Sequence, residues 1–264
     1  MTRFPLGQVA ALLHSAAEEL IVPRWRRLKA DDIQLKAPGE WVTAVDREVE
    51  ERLSIGLKAL IPGSTVVGEE QSALRPQLLD CIGAGLVWLL DPVDGTGNLV
   101  AGSGPVSVML ALLEDSETIA SWMLNPLTGV MHHALKGGGA WRGNQRVVAM
   151  RASRPDGLGI VRTRFLPEEF KKHLAQTALE FRSGSNCAGA DYPSLLADNE
   201  FALYWRVLPW DHAPGALFVS EAGGVAAHLD GRPYRADQQQ PGLLVARSPE
   251  AWGRARKLFP SLDR

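Results

Sequence analysis

The chain has 264 residues and a formal net charge of −2; hydrophobic residues make up 45% of it and charged residues 22%. This composition is typical of a folded globular protein, and the absence of a basic excess argues against a nucleic-acid polymer as partner. Two cysteines, Cys81 and Cys187, are too few for a disulfide framework and indicate a reducing compartment. Residues 1–20 have no long apolar run, so we expect a cytoplasmic protein without membrane contact.

In the first half of the chain, helices alternate with strongly apolar strands. Apolar residues at helical spacing predict helices over residues 6–28 and 46–61, and Pro62 and Gly63 end the second one. Short apolar runs predict strands over 64–70, 85–91, 105–115 and 117–125, and further strands with glycine turns between 129 and 148.

In the second half, the pattern becomes one of alternating strands and helices. Strands are predicted over 158–164, 201–207, 224–229 and 242–248. Helices are predicted over 167–180, 209–222 and 249–259, the second with Pro209 at its start and a Gly-Gly pair after its end. We therefore expect two lobes packed together, residues 1–150 and residues 151–264.

Acidic residues stand at the ends of three apolar segments. They are Glu69 and Glu70, then Asp91 and Asp94, and finally Asp211. Strand ends lie at the rim of a sheet, where open α/β sheets bind their ligands. Carboxylates that converge there would repel one another unless a hard cation such as Mg²⁺ neutralised them. Each cluster alone also fits an ordinary turn or a helix cap, so it is their combination that indicates a metal site.

The segment 91–97, Asp-Pro-Val-Asp-Gly-Thr-Gly, suits a site where metal and phosphate meet. Pro92 stiffens the turn, so that both aspartates can face one site and the Val93 carbonyl can act as a further oxygen ligand. Gly95 allows the backbone to approach a ligand closely. If a helix begins here, the amides of Gly95 and Thr96 are free to bind phosphate, and the Thr96 hydroxyl can orient a water.

Two longer motifs carry a resemblance to a known family. Residues 88–98 fit Trp-x-x-Asp-Pro-Ile/Val-Asp-Gly-Thr-x-Asn, and residues 210–224 fit Trp-Asp-x-Ala-(x)-Gly followed by Glu-Ala-Gly-Gly. The sequences Gly-Glu-Glu at 68–70 and Val-Thr-Ala-Val-Asp at 42–46 occur in the expected order. In these motifs, and over nearly its whole length, the sequence resembles the inositol monophosphatase family of Mg²⁺-dependent, lithium-sensitive phosphomonoesterases.

The resemblance implies a fold of the α+β or α/β class, a layered αβαβα sandwich, commonly assembled as a homodimer. It also implies two or three Mg²⁺ ions in each site. Glu69, Asp91 and the Val93 carbonyl would hold the first ion, and Asp91, Asp94 and Asp211 the second. Glu69, with help from Glu70, would bind a third, weaker ion and its water.

The resemblance further implies how a small phosphorylated alcohol, such as an inositol monophosphate, would be hydrolysed. Thr96 and Glu69 would activate the attacking water, with Asp46 accepting a hydrogen bond from Thr96. Lys36 matches a family lysine near the active-site loop. Attack by water directly on phosphorus requires no covalent phosphoenzyme.

On the alcohol side, the sequence departs from relatives that act on inositol phosphates. Gly95 and Thr96 would contact the phosphate, whereas Gly184 and Ser185 stand where such relatives carry Gly-Ser/Thr-Ala-Ala. Arg206 replaces a glutamate and cannot accept hydrogen bonds from inositol hydroxyls. It would pair with a second phosphate or a carboxylate, or lie on the solvent side of its strand.

Several substrates therefore stay open at this point. Fructose 1,6-bisphosphate, histidinol phosphate and 3′-phosphoadenosine 5′-phosphate are substrates of family relatives. A non-catalytic relative that keeps the fold is a further alternative, although the complete set of candidate metal ligands argues against it.

Overall fold

The computed structural model describes residues 4–149, 159–176 and 180–260. The helices are α1 (Leu6–Ala16), α2 (Ala44–Leu60), α3 (Glu69–Leu74), α4 (Thr96–Ala101), α5 (Glu168–Gln176), α6 (Ala188–Asp198), α7 (Pro209–Glu221) and α8 (Pro249–Arg256). The strands are β1 (Ile33–Ala37), β2 (Glu40–Thr43), β3 (Thr65–Gly68), β4 (Leu86–Asp94), β5 (Ser107–Glu114), β6 (Glu117–Leu124), β7 (Met131–Leu135), β8 (Gly139–Arg142), β9 (Gln145–Val147), β10 (Gly159–Val161), β11 (Phe181–Ser183), β12 (Phe201–Tyr204), β13 (Val225–His228) and β14 (Leu243–Ala246).

Two large sheets organise the chain. One has seven strands in the order β3-β4-β5-β6-β7-β8-β9, and the other has five in the order β11-β10-β12-β14-β13. Strands β3 and β4 are parallel, as are β10 with β11 and β10 with β12. The carboxyl ends of such parallel neighbours share one edge of their sheet, which is where their following residues meet. Strands β1 and β2 form a separate antiparallel hairpin.

Helices cover both sheets in alternating layers. Leu13 of α1 and Leu53 of α2 pack with Trp88 on one face of the seven-stranded sheet. Helices α6 and α7 fill the space between the two sheets, where Phe218 packs with residues of both. Helices α5 and α8 cover the outer face of the five-stranded sheet, where Phe170 belongs to the packed cluster. The structure is thus a five-layered αβαβα sandwich, and the predicted fold class is confirmed.

Helix α2 shows how local sequence sets up the site. Thr43 caps the first turn of α2, because its hydroxyl oxygen accepts a hydrogen bond of 3.2 Å from the Val45 amide. The Asp46 carboxylate in turn accepts a hydrogen bond of 2.8 Å from the Thr43 amide. Such reciprocal capping fixes the start of a helix. Val49 and Leu53 then lie on the buried face, fully shielded from solvent. The capping aspartate is therefore held rigidly at the edge of the core.

Several boundaries differ from those that the sequence predicts. Helix α1 ends at Ala16, and the chain continues in a π-helical turn over Ala17–Ile21 and a 3₁₀ turn over Val22–Arg24. Pro23 lies in the 3₁₀ turn and has no amide hydrogen to continue an α-helical pattern there. Strand β4 does not end at Asp91 but runs to Asp94, with irregular pairing between the two aspartates. The hairpin β1–β2 and helices α3 and α6 were not predicted.

Two predictions touch residues outside the described part of the chain. The boundary at residue 150 lies there, so the division into two lobes stays a prediction. The last turn of the helix predicted to end at residue 180 also falls partly there. Within the described residues, no helix combines the length and the apolar character that crossing a membrane requires.

Candidate active site

A cleft of about 680 Å³ lies where the strand ends of both sheets meet the β1–β2 hairpin. Its wall is built from the hairpin, the end of β4, the start of α4, the ends of β10, β11 and β12, and the start of α7. The predicted site residues on this wall are Lys36, Glu69, Asp91, Val93, Asp94, Gly95, Thr96, Gly184, Arg206 and Asp211. The structure thus brings together residues that are far apart in sequence.

Three carboxylates converge on this wall. Glu69, Asp91 and Asp211 each offer an oxygen atom, and these atoms all lie within 4.8 Å of one another. Burial raises the pKa of Asp91 and of Asp211, and the negative charge of Glu69 raises both further. Like charges at this separation are costly in a buried setting, and oxygen ligands favour a hard divalent cation. The donor set therefore fits Mg²⁺.

Asp94 lies outside this group of converging oxygens. Its Oδ2 atom accepts a hydrogen bond of 2.7 Å from the amide of Gly189, the second residue of α6. Burial raises the pKa of Asp94 to about 6, although the nearby Arg162 guanidinium opposes the shift. Its predicted role as a metal ligand stays a prediction.

The Thr96 hydroxyl connects the cleft to the capped start of α2. Its Oγ1 atom lies 2.9 Å from Oδ1 of Asp46 and 3.0 Å from the carbonyl oxygen of Val93. Asp46 itself lies behind the wall, and burial raises its pKa to about 6. Gly95 precedes Thr96 with a φ of 88°, and a Cβ there would lie 2.9 Å from the Pro105 carbonyl oxygen. Only glycine fits this turn without strain.

Lys36 places a positive charge beside the acidic cluster. Its Nζ atom lies 3.2 Å from Oε1 of Glu69 and donates to the carboxylate of Glu70. Burial opposes the charge on Lys36, but the two glutamates raise its pKa overall. Burial raises the pKa of Glu70 to about 7 despite this lysine. The buried Glu50, which the sequence did not single out, accepts from the amides of Glu70 and Gln71 at 2.8 Å each and so fixes the start of α3.

The structure does not bring Ser185 to the wall of the cleft. Its amide donates to Oδ1 of Asp191 at 2.9 Å, and its hydroxyl donates to the carbonyl oxygen of Cys187 at 2.9 Å. These bonds hold the loop that precedes α6. The role of Ser185 in substrate binding stays a prediction, and its neighbour Gly184 does line the cleft.

Arg206 follows the end of β12 by two residues and lines the cleft, with 40% of its side chain exposed. It forms an ion pair with Glu40 of the hairpin, and its guanidinium lies 5.1 Å from the ring centroid of Phe165. Arg164 packs against the same ring at 4.8 Å and donates to the Gly39 carbonyl at 2.9 Å. Arg206 therefore already has an acidic partner, which weakens the idea that it binds a second phosphate.

Arg162 and Tyr204 are among the wall residues to which the sequence assigned no role. Arg162 directly follows β10, and Tyr204 ends the neighbouring parallel strand β12, in which Leu203 pairs with Val161. Nε of Arg162 lies 3.5 Å from Oδ2 of the buried Asp191. Their position at the carboxyl ends of strands is a signal that could have found them, and Tyr204 also stands two residues before Arg206 in the step Tyr204-Trp205-Arg206.

A sequence profile of the inositol monophosphatase family matches residues 5–262. The chain belongs to this family. This membership identifies it as a phosphatase and confirms the resemblance seen in the two sequence motifs.

Individual members of the inositol monophosphatase family agree with this assignment. The chain is 29% identical to inositol-1-monophosphatase ImpA of Mycolicibacterium smegmatis over 248 residues, covering 88% of this chain and 87% of that protein. It is 28% identical to the 3′(2′),5′-bisphosphate nucleotidase CysQ of Shigella flexneri over 254 residues, covering 91% of this chain and 99% of that protein. The crystal structure of inositol monophosphatase II from Staphylococcus aureus superposes with a TM-score of 0.79 at 23% identity, covering 96% of this chain and 92% of that one, which supports the fold.

Proposed function

We propose that the protein is a Mg²⁺-dependent phosphomonoesterase that hydrolyses a small phosphorylated alcohol resembling an inositol monophosphate. The observation that carries this proposal is the convergence of Glu69, Asp91 and Asp211 within 4.8 Å in a cleft that Thr96 also lines. Metal-dependent phosphate hydrolysis needs oxygen ligands next to a group that orients water, and this cleft offers both.

We propose that the site holds two or three Mg²⁺ ions. Glu69, Asp91 and the Val93 carbonyl would hold the first ion, and Asp91, Asp94 and Asp211 the second. Glu69 would also bind the third and weakest ion. When bound, Mg²⁺ would lower the pKa of a water and offset the charge that develops on the phosphate oxygens.

The chain's own residues would position the water and the ester. The Thr96 hydroxyl donates either to Asp46 or to Val93, and its lone pairs are left to accept from a water in the cleft. Glu69 would take a proton from that water, and Lys36 would balance the remaining charge. Gly95 and Thr96 would contact the phosphate, and Gly184, which also lines the cleft, would contact the alcohol part.

What is known of similar proteins supports a small phosphorylated ligand. Structures of the Staphylococcus aureus enzyme carry inositol monophosphate in one case and 2′AMP in another. Curated relatives include a fructose-1,6-bisphosphatase/inositol-1-monophosphatase of Thermotoga maritima. The same membership supports a homodimer, a cytoplasmic location and lithium sensitivity, which stay predictions.

Phosphate release with and without Mg²⁺ tests this proposal. The esters would be inositol 1-phosphate, fructose 1,6-bisphosphate, histidinol phosphate and 3′-phosphoadenosine 5′-phosphate. We expect Mg²⁺-dependent release with a preference for inositol 1-phosphate, and a loss of about 100-fold in kcat/KM for Asp211→Asn. The matched control is Asp198→Asn, since Asp198 is exposed on α6. Unchanged activity of Asp211→Asn would refute the assignment of the metal site.

A further inference from the structure

Asp211 differs from the other converging acids in how its carboxylate is held. Asp91 accepts a hydrogen bond from the Val93 amide at 2.9 Å, and Glu69 accepts one from Lys36 at 3.2 Å. In the part of the chain that the structure describes, no hydrogen bond reaches the Asp211 carboxylate. Its position among the converging oxygens therefore depends on the backbone at the start of α7.

A histidine side chain secures the start of α7. Leu208, the residue before the helix, makes no side-chain capping bond. Nε2 of His212, in the first turn, lies 3.2 Å from the carbonyl oxygen of Arg206 in the preceding loop. This bond closes residues 206–212 into a ring, and Asp211 lies within that ring. The side chain next to Asp211 thus ties the helix to the loop that leads into it.

Both ring nitrogens of His212 are engaged by groups of the protein. Nδ1 lies 2.9 Å from the hydroxyl of Tyr192 on α6. A carbonyl oxygen can only accept, so Nε2 carries the hydrogen, and Nδ1 of the buried, neutral ring accepts from Tyr192. Although His212 lines the cleft, neither nitrogen is left to give a proton to a substrate. The ring therefore acts through its two bonds and not as an acid.

Tyr192 provides this histidine with a rigid partner. It is fully buried, and its ring packs so closely on α7 that a Cβ at Gly215 would lie 2.0 Å from it. On β12, the ring of Tyr204 stacks with it at a centroid distance of 5.4 Å. A close-packed side chain of this kind has little freedom to move. The hydroxyl of Tyr192 is therefore held in place toward His212.

We propose that His212 is a positioning residue for Asp211. By joining Tyr192 to the Arg206 carbonyl, it fixes the first turn of α7, so that the Asp211 carboxylate converges with the other acids of the cleft. The inference rests on the proposed function, since the property that His212 governs is the affinity of that site for Mg²⁺. Groups that orient metal ligands without touching the metal contribute about 10- to 100-fold to metal affinity.

The test separates the two bonds of His212 by substitution. In His212→Gln, the side-chain amide reaches as far as Nε2 and can donate to the Arg206 carbonyl. In His212→Asn, it reaches only as far as Nδ1 and can serve Tyr192 alone. We would measure the Kd of Mg²⁺ by titration calorimetry without ester, and the Mg²⁺ concentration at half-maximal phosphate release.

We expect His212→Asn to raise both values about 10-fold and His212→Gln to raise them by no more than about threefold. KM for the ester at saturating Mg²⁺ should change by less than about twofold, because neither variant removes a group that contacts the ester. Amide exchange over residues 205–212 should be faster in His212→Asn than in His212→Gln, since only the former lacks the bond to Arg206.

His173→Asn is the matched control. Nε2 of His173 also lies against a backbone carbonyl oxygen, that of Leu258 at 2.7 Å. His173 belongs to α5 and does not line the cleft, so its substitution should leave the Kd of Mg²⁺ unchanged.

Two outcomes would overturn the inference. One is an unchanged Kd of Mg²⁺ in His212→Asn. The other is an equal loss of kcat at saturating Mg²⁺ in both His212 variants with the Kd intact, which would show that the ring takes part in proton transfer. If His212→Asn does not fold, Tyr192→Phe decides, because it removes a single hydroxyl. We expect it to raise the Kd about threefold, and an unchanged value would overturn the inference as well.

Failure of the phosphatase proposal gives a different result. In that case the wild type binds Mg²⁺ but releases no phosphate from any of the esters, and calorimetry with Mg²⁺ alone judges the role of His212. A wild type that binds no Mg²⁺ would overturn both proposals.

Discussion

A buried carboxylate and the Val93 carbonyl oxygen orient the hydroxyl of Thr96. Asp46 accepts from Thr96 at 2.9 Å and also from the amide and the hydroxyl of Thr43, at 2.8 and 2.5 Å. Five atoms from three residues thus form a connected set that starts at a helix cap and ends in the cleft. A substitution at Asp46 should therefore disturb the orientation of the Thr96 hydroxyl without removing any group from the cleft wall.

We expect Asp46→Asn to lower kcat by about 100-fold, because loss of the oriented hydroxyl removes general acid–base assistance to the water. KM should change little, since Asp46 does not line the cleft. Steady-state kinetics with the preferred ester checks this, and Asp80→Asn at an exposed position is the control. A fall confined to KM, with kcat unchanged, would contradict the assigned role.

At this scale, the sequence predicted residues that belong to motifs and missed those that act alone. Asp91 and Asp211 stand in signatures and at the ends of apolar runs, so their convergence could be anticipated. Arg162 and Glu50 have no such context. Arg162 meets Tyr204 only through the pairing of β10 with β12, which no local pattern reveals.

Among the elements, the β1–β2 hairpin is held to the second sheet by two arginines. Arg164 donates to the Gly39 carbonyl at 2.9 Å, Arg206 pairs with Glu40, and both guanidinium groups lie close to the ring of Phe165. The same hairpin carries Lys36 to the acidic cluster. The two arginines therefore help to hold Lys36 beside the acidic cluster, because Lys36 lies on strand β1 of the same hairpin.

We expect Arg164→Ala to loosen the hairpin without unfolding the protein. Amide exchange over residues 33–43 should become faster, because fewer contacts oppose local opening. Phosphate release should fall by several-fold as Lys36 loses its fixed position. Hydrogen exchange by mass spectrometry provides the measurement, with the exposed Arg232→Ala as control. Unchanged amide exchange across the hairpin would show that Arg164 does not hold the hairpin in place.

The elements that sequence patterns predicted well are those with long apolar runs. Strands β4 and β5 are buried over nearly their whole length, and α2 has a regular apolar face. Strand β1 is short and mostly exposed, so its composition does not distinguish it from a loop. Helix α6 contains Gly189 and Pro193, which mask its helical period although tertiary packing buries it.

In the molecule as a whole, burial of the acidic cluster links folding to pH and to metal. Burial raises the pKa of Asp46 and Asp94 to about 6 and that of Glu70 to about 7. Carboxyls of an unfolded chain titrate near 4. Between about pH 4 and pH 7, the folded chain therefore binds more protons than the unfolded chain does. The stability that these carboxyl groups contribute is lost as the pH rises from about 4 to about 7.

We expect the rise in Tm on adding Mg²⁺ to be greater at pH 8 than at pH 5.5 by at least about 3 °C, because only the charged carboxylates bind the cation. Buried histidines act in the opposite sense, since burial lowers the pKa of His132 to about 4 and of His212 to about 3. The difference between scans with and without Mg²⁺ cancels their contribution. An equal rise at both pH values would argue against cation binding by the buried acids.

The middle layer of the sandwich has a consequence for how the protein is made. Helix α7 packs against both sheets and carries Asp211, whereas Glu69 and Asp91 belong to the first sheet and its edge. A ribosome therefore releases two of the three converging acids long before it synthesises the third. The growing chain must assemble its first sheet without a complete set of ligands, so a divalent cation cannot template the early steps of folding. The ion can stabilise the chain only after α7 has packed between the two sheets.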